Sequence, residues 1–149
     1  MEDQIINRVA SSPLVTIDLE EYYHKGERIT YDLAQNLFQE MILREKDLRE
    51  FVKEHDWSQY QNKNVALTCS VDAIVPTWAY MLITTKLEGV ANMVVLGDQA
   101  TLEYALYKDA LSKIQPENFT DKPVVIKGCG KLPVPDSAYV ELTWLLKPH

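Results

Sequence analysis

Two cysteines, three histidines and a few carboxylates near strand ends are the side chains through which this chain could do chemistry. The densest pattern is Lys127-Gly128-Cys129-Gly130. Glycine on both sides of a cysteine permits positive φ and close backbone approach, which would expose the thiol and backbone N–H groups. A neighbouring lysine or helix N-terminus would favour the thiolate, the form that attacks and binds metals. Cys129 therefore reads as a nucleophile, a redox thiol or a metal ligand, with Lys127 as its tuning group. The alternative is a small hydrophobe packed in a tight strand-to-helix turn. The second pattern is Thr68-Cys69-Ser70-Val71-Asp72. Cys69, Asp72 and Cys129 with a histidine would give zinc the S, O and N ligands it accepts, although the close ligand pairs of structural zinc sites are missing. Asp72 alone reads as a helix N-cap. His55, in Glu54-His55-Asp56-Trp57, is the histidine flanked by a carboxylate and an aromatic. It reads either as a base or ligand oriented by Asp56, or as an imidazole favoured by a helix C-terminus. His24 and His149 read as solvated. No cofactor follows from these patterns. Gly97-Asp98 and Gly128-Cys129-Gly130 lack phosphate-loop spacing, and there is no serine nucleophile elbow.

The elements that must position these residues follow from periodicity. Ile5, Ile6 and Val9 suggest a helical turn. Leu14 to Leu19 and Arg28 to Leu33 alternate as strands around His24-Lys25-Gly26-Glu27, which predicts an antiparallel hairpin. From Gln35 to His55 the apolar residues fall largely on one helical face, with a strand alternative near Met41 to Leu43. Three strand–helix alternations follow: Val65 to Cys69 with Ala73 to Leu87, Met93 to Gly97 with Thr101 to Ile114, and Val124 to Gly128 with Asp136 to Leu146. The strands are short and apolar, as strands buried on both faces would be. Asp72, Asp98 or Thr101, and Asp136 are the expected caps. No internal sequence repeat is evident. The expected fold is a single α/β domain, residues 1–149: an N-terminal hairpin and helix, then three βα units in a mixed, mostly parallel sheet with flanking helices.

Ligands of open α/β sheets bind beyond the carboxyl ends of the parallel strands. That rule gathers Cys69, Ser70 and Asp72, then Gly97 and Asp98, then Lys127, Gly128, Cys129 and Gly130 on one edge. The ligand-binding candidates are Ser70, Asp72, Asp98, Gly128 and Gly130. The catalytic candidates are Cys129, Lys127 and His55, and the metal candidates are Cys69, Asp72 and Cys129.

Composition narrows the partners. The chain has 149 residues and is 25% charged, with a net charge of −7. Without a basic run it is a poor match to a nucleic-acid backbone. No stretch nears the roughly 18 apolar residues of a membrane span, and no signal peptide is visible. The cysteines are then expected to be reduced in a cytoplasmic protein. The helix around Trp78, Tyr80 and Met81 is apolar nearly all round, which suits either a core or a homodimer interface.

Val15-Thr16-Ile17-Asp18-Leu19-Glu20-Glu21-Tyr22, Ile42-Leu43-Arg44-Glu45-Lys46-Asp47, His55-Asp56-Trp57-Ser58-Gln59-Tyr60, the block Cys69 to Tyr80 and Lys127-Gly128-Cys129-Gly130 resemble an uncharacterised bacterial domain-of-unknown-function family found chiefly in Bacteroidetes. The resemblance covers nearly the whole chain. It implies a small bacterial cytoplasmic protein and supplies no activity. Relatives are expected to continue past this end with another strand and a cysteine in a Pro-Cys-Ser context, so a C-terminal strand and a further thiol would be lacking here.

The function expected from these readings is a non-enzymatic binding or regulatory module, with a second copy, a protein or a small molecule as its partner. The alternative is a thiol-based enzyme or a metal-binding protein using Cys129 and Cys69.

Overall fold

The β-branched run after Pro13 is a strand, yet its partner is not the run that follows it. Val15–Asp18 (β1) lies parallel to Val124–Lys127 (β7), with Asp18 opposite Lys127. Arg28–Asp32 (β2) lies parallel to Asn64–Thr68 (β5), with Asp32 opposite Thr68. Two parallel pairings thus replace the expected antiparallel hairpin. The reason is local. Each strand ends in an aspartate that caps a 3-10 turn, Leu19–Tyr22 after β1 and Leu33–Asn36 after β2. Asp18 Oδ1 accepts from the Glu20 N–H at 3.0 Å, and Asp32 Oδ1 from the Ala34 N–H at 2.9 Å. The chain leaves each strand through this turn and buries Leu19 and Leu33 completely. A tight hairpin reversal is therefore not made.

The computed structural model describes residues 14–147, which form two compact units. In the described residues the first unit takes 14–24 with 106–147, and the second takes 25–105. The fold is mixed α/β with parallel pairing, as expected. The helical turn expected around Ile5, Ile6 and Val9, and His149, lie outside the described residues.

The second unit holds a three-stranded parallel sheet of order β2-β5-β6, where β6 is Met93–Leu96. β5 is flanked on both sides and buried over Asn64, Val65, Ala66 and Leu67. β6 and β7 keep exposed residues, so full burial holds for β5 alone of these three. The helix expected over 35–55 begins only at Glu45. Before it, Leu37–Phe38 (β3) and Ile42–Leu43 (β4) pair antiparallel, with Gln39 and Glu40 at φ of 52° and 56° between them. Two successive left-handed residues reverse the chain where a helix would have continued. Glu45–Glu54 is α1 and Thr77–Leu87 is α2. Leu48 and Val52 from α1 and Ala79, Ile83 and Leu87 from α2 enclose Val65 and Leu67. Gln99–Leu111 is α3, and the Thr101 N–H donates to Asp98 Oδ1 at 2.9 Å, so the expected Asp98 cap is present.

The first unit packs β1 and β7 with the end of α3 and with Asp136–Leu146 (α4), around Ile17, Leu19, Tyr107, Leu111, Ala138 and Leu142. Asp72 and Asp136 do not cap their helices as expected. Pro76 and Pro135 hold the N-cap positions without a side-chain bond, and Asp136 is already the first helical residue. The extended ψ of each proline turns the chain into the helix, and proline near a helix start loses no needed N–H.

The elements also overturn the expectation of no internal repeat. A constant offset of 59 residues (135 − 76 = 59) carries Pro76 onto Pro135 and Thr77–Leu87 onto Asp136–Leu146. The same offset carries the 3-10 turn Trp57–Tyr60 onto Pro116–Phe119, and the left-handed Asn62 (φ 60°) onto Asp121 (φ 58°). Val65 falls on Val124, and Val75-Pro76 with Ala79-Tyr80 on Val134-Pro135 with Ala138-Tyr139. Thr84 Oγ1 and Thr143 Oγ1 each donate to the carbonyl four residues back, both at 2.7 Å. The strands that pair with these blocks correspond too, because Thr68 opposes Asp32 and its counterpart Lys127 opposes Asp18. Thr16-Ile17-Asp18-Leu19 matches Thr30-Tyr31-Asp32-Leu33. Those two segments stand 14 residues apart (32 − 18 = 14), so the pattern is nested, with no single period.

Candidate functional site

In the first unit β1 and β7 end side by side, and their last residues with those that follow line a cavity of about 240 Å³: Asp18, Glu20, Lys127, Gly128, Cys129 and Gly130. Asp18 Oδ1 is committed to the Glu20 N–H. Its Oδ2 lies 3.9 Å from Lys127 Nζ, a loose ion pair whose lysine is 63% exposed. Glu20 Oε1 accepts from the Leu132 N–H at 2.5 Å, which ties the loop after β7 to the turn after β1. The glycines do not serve through positive φ, which among the glycines belongs to Gly89 and Gly97. They serve through close approach. A Cβ on Gly130 would run into the Glu20 carboxylate, and one on Gly128 would stand 2.6 Å from the Tyr139 hydroxyl and 3.3 Å from Leu19 Cβ.

Cys129 is a free, exposed thiol, 3.7 Å from the Tyr139 hydroxyl. Tyr139 comes from the first turn of α4 and lies over Gly128. Its pKa is raised by the hydrogen bond to Cys129, then by desolvation and the nearby charges of Cys129, Asp136 and Asp18. A phenol held above its ordinary value keeps its proton at neutral pH and is a hydrogen-bonding neighbour rather than a base.

In the second unit the equivalent strand ends carry different groups. Asp32 Oδ1 accepts from the Ser70 N–H at 2.9 Å as well as from Ala34, so it ties the loop after β5 to the turn after β2. Burial pushes the Asp32 carboxyl up, yet the hydrogen bonds from the Ser70 side chain and the Ala34 and Ser70 amides outweigh it and hold the pKa below the ordinary value. Cys69 is a free, half-buried thiol that donates to the Val71 carbonyl at 3.6 Å. Ser70 and Asp72 are exposed on the same loop. Asp98 follows β6, where the Thr101 N–H and hydroxyl bond its carboxylate and lower its pKa. Offset correspondence puts Gly128 where Cys69 stands and Cys129 where Ser70 stands.

His55 closes α1 in an aromatic cluster of the second unit. Its ring stacks on Phe51 at 4.5 Å between centroids and meets Trp57 edge-on at 4.8 Å. Nε2 is 2.7 Å from the Tyr60 hydroxyl. Burial lowers its pKa against the charge of Asp56, so the ring favours its neutral form. The Asp56 carboxylate instead accepts from the Ser58 N–H and hydroxyl.

The sequence candidates therefore fall into two sets: Lys127, Gly128, Cys129 and Gly130 in the first unit, and His55, Cys69, Ser70, Asp72 and Asp98 in the second. Among the described residues no group of three or more His, Cys, Asp or Glu is placed to hold a metal ion. Asp18, Glu20, Asp32 and Tyr139 were absent from the sequence candidates. The signal for Asp18 and Asp32 is the doubled Thr-x-Asp-Leu and for Tyr139 the doubled Val-Pro-x-x-Ala-Tyr, while Glu20 has none.

The chain matches the family described as "Protein of unknown function (DUF2480)" over residues 3–149, and so belongs to that family. No curated protein and no solved structure matches it. No helix among the described residues is long and apolar enough to cross a membrane.

Proposed function

We propose that this chain is a non-enzymatic binding module, and that its ligand is a small zwitterion of amino-acid type held in the strand-end cavity of the first unit. The observation that carries this reading is the loose pair at the cavity. Asp18 Oδ2 and Lys127 Nζ stand 3.9 Å apart beside about 240 Å³ of space. A ligand ammonium can bond the carboxylate while its carboxylate bonds the lysine, replacing one long ion pair by two short charge-assisted bonds. The fixed groups around them support binding over turnover. Glu20 is engaged by Leu132, and the hydroxyl next to the thiol belongs to a tyrosine that keeps its proton.

A thermal-shift screen over free amino acids and small carboxylates tests this. The expected result is a compound that raises the melting temperature of the native chain and not of Lys127→Ala. No stabilising compound, or equal stabilisation of both proteins, would overturn it.

A thiol enzyme or metal protein built on Cys129, with Cys69 as a separate candidate in the second unit, is the second reading, favoured by the exposed Cys129 between two glycines. Alkylation of Cys129 faster than a model thiol between pH 6 and 9 supports the enzyme. About one equivalent of zinc or iron per chain, lost in Cys129→Ser, supports the metal site. With the two free cysteines, we place the protein in the cytoplasm. We also keep the chain as one domain, which calorimetry tests as a single unfolding transition. A homodimer would use Met81, which stays exposed while Trp78 and Tyr80 are half-buried, and sedimentation velocity decides it.

A further inference from the structure

In the second unit α1 and α2 each carry a lysine in the last turn, Lys53 and Lys86. Such a lysine ordinarily bonds the free carbonyls of its helix end. Here those carbonyls are taken by other donors. Phe51 accepts from the His55 N–H and Val52 from the Trp57 indole, both at 2.9 Å. Thr84 accepts from the Glu88 N–H and Leu87 from the Ala91 N–H, also at 2.9 Å. Among the described residues neither lysine has a carboxylate within ion-pair distance. Both are exposed. Their charges are spent neither on capping nor on pairing.

They converge instead. Lys53 and Lys86 line a groove of about 290 Å³ between α1 and α2, together with Arg49, Val52 and Leu82. Arg49 stands four residues before Lys53, so the two share one face of α1. The bond from Arg49 to Glu45 uses Nε alone, at 3.0 Å, and leaves both terminal nitrogens to donate. None of the five lining residues is acidic, although the chain carries a net charge of −7. The internal repeat shows that the fold does not require these charges. The offset of 59 carries Arg49, Lys53 and Lys86 onto Lys108, Ser112 and Leu145, and Leu82 onto Glu141. Three cations on one face thus stand against one cation and one carboxylate on its counterpart.

We propose that the groove between α1 and α2 binds a small phosphate monoester with an apolar body. The guanidinium and the two ammonium groups match its three terminal oxygens and its charge of about −1.5 to −2 at pH 7. Val52 and Leu82 offer apolar surface to the organic part. A carboxylate, with two oxygens and one charge, would leave a cation unmatched. The volume lies at the small end of ligand sites, which run from about 300 to 1,000 Å³, and so suits a small molecule. This goes beyond the strand-end cavity and uses none of its residues.

The probe is phenyl phosphate, titrated into the full chain at constant ionic strength and followed by backbone amide shifts. Saturable shifts centred on residues 49–53 and 82–86 are expected. Inorganic phosphate is expected to shift the same residues with lower affinity, and benzyl alcohol, which has the ring without the charge, to shift none of them. Lys53→Gln with Lys86→Gln is expected to weaken phenyl phosphate at least about tenfold. Lys53→Arg with Lys86→Arg, which keeps both charges, is expected to stay close to the native affinity, so loss of binding in the first pair reports charge and not folding. No saturable binding, equal binding by the Gln pair, shifts scattered over unrelated lysines, or shifts centred on residues 18–20 and 127–130 would overturn the proposal. Lys127→Ala is expected to bind phenyl phosphate as the native chain does, which separates this test from that of the cavity.

Discussion

Gly128→Ala tests the packing that floors the strand-end cavity. The backbone there is not left-handed, so the cost is steric rather than conformational. The added Cβ would stand 2.6 Å from the Tyr139 hydroxyl, 3.2 Å from Tyr139 Cζ and 3.3 Å from Leu19 Cβ. Leu19 is fully buried and has little room to retreat, while Tyr139 is half-buried and can swing outward. Overpacking of this kind costs about 1–3 kcal/mol. Because the nearest atom ends a movable side chain, the expected loss is about 1–2 kcal/mol, or about 3–6 °C in melting temperature for a chain of this length. Tyr139→Phe removes the nearest atom and only a long thiol contact, so alone it costs about 0.5 kcal/mol or less. The double variant should recover about 0.5–1 kcal/mol of the summed losses, because the two sites touch. Urea unfolding of the four proteins supplies the cycle. Additivity within about 0.3 kcal/mol, or a neutral Gly128→Ala, would refute the close approach of Tyr139 over Gly128.

Asp32→Ala should cost about 1–2 kcal/mol at pH 7, as loss of a capping carboxylate does. A carboxyl held low in the fold stabilises it above the unfolded pKa of about 3.9 and loses that contribution as pH falls through the folded value, so the gap to the native chain should close in acid denaturation. His55 is likewise held deprotonated in the fold, here as the neutral ring, and the direction of loss is the same. The unfolded ring takes up its proton first below about pH 6.5 while the folded ring resists, so stability falls as pH drops through that range, and His55→Gln should remove this part of the slope in chemical denaturation. Leu87→Ala, at a fully buried site, should cost about 3 kcal/mol by urea unfolding, and its half-buried counterpart Leu146→Ala about half of that; equal costs would argue that the two faces are equally covered.

Periodicity located the later elements closely. The expected helix Asp136–Leu146 has the observed bounds, although Pro135 and not Asp136 holds its cap position. Over Gln35–His55 the helix holds only from Glu45 and the strand alternative near Met41 to Leu43 is met by β4, because two left-handed residues that are not glycine reverse the chain between β3 and β4. Nothing in Gln39-Glu40 signals that conformation locally. Pairing was the harder part. Leu14–Leu19 and Arg28–Leu33 look like hairpin strands, and their partners lie 109 (124 − 15) and 36 (64 − 28) residues away in sequence. Long-range parallel pairing leaves no local trace beyond the strand itself. The site was half legible. Lys127 to Gly130 stand out by composition, and the rule for parallel strand ends puts them at the carboxyl end of β7. Asp18 and Glu20 looked like surface carboxylates, because their role depends on β1 lying beside β7. The repeat escaped notice because its two halves are nested and because Cys69 and Cys129 fall one position out of step within it.

The most direct test of the proposed function is a backbone amide titration of the full chain with the compound that most raises its melting temperature. The account predicts shifts centred on residues 18–20 and 127–130, saturating together with one affinity. Shifts centred elsewhere, or none at these amides at saturation, would contradict it.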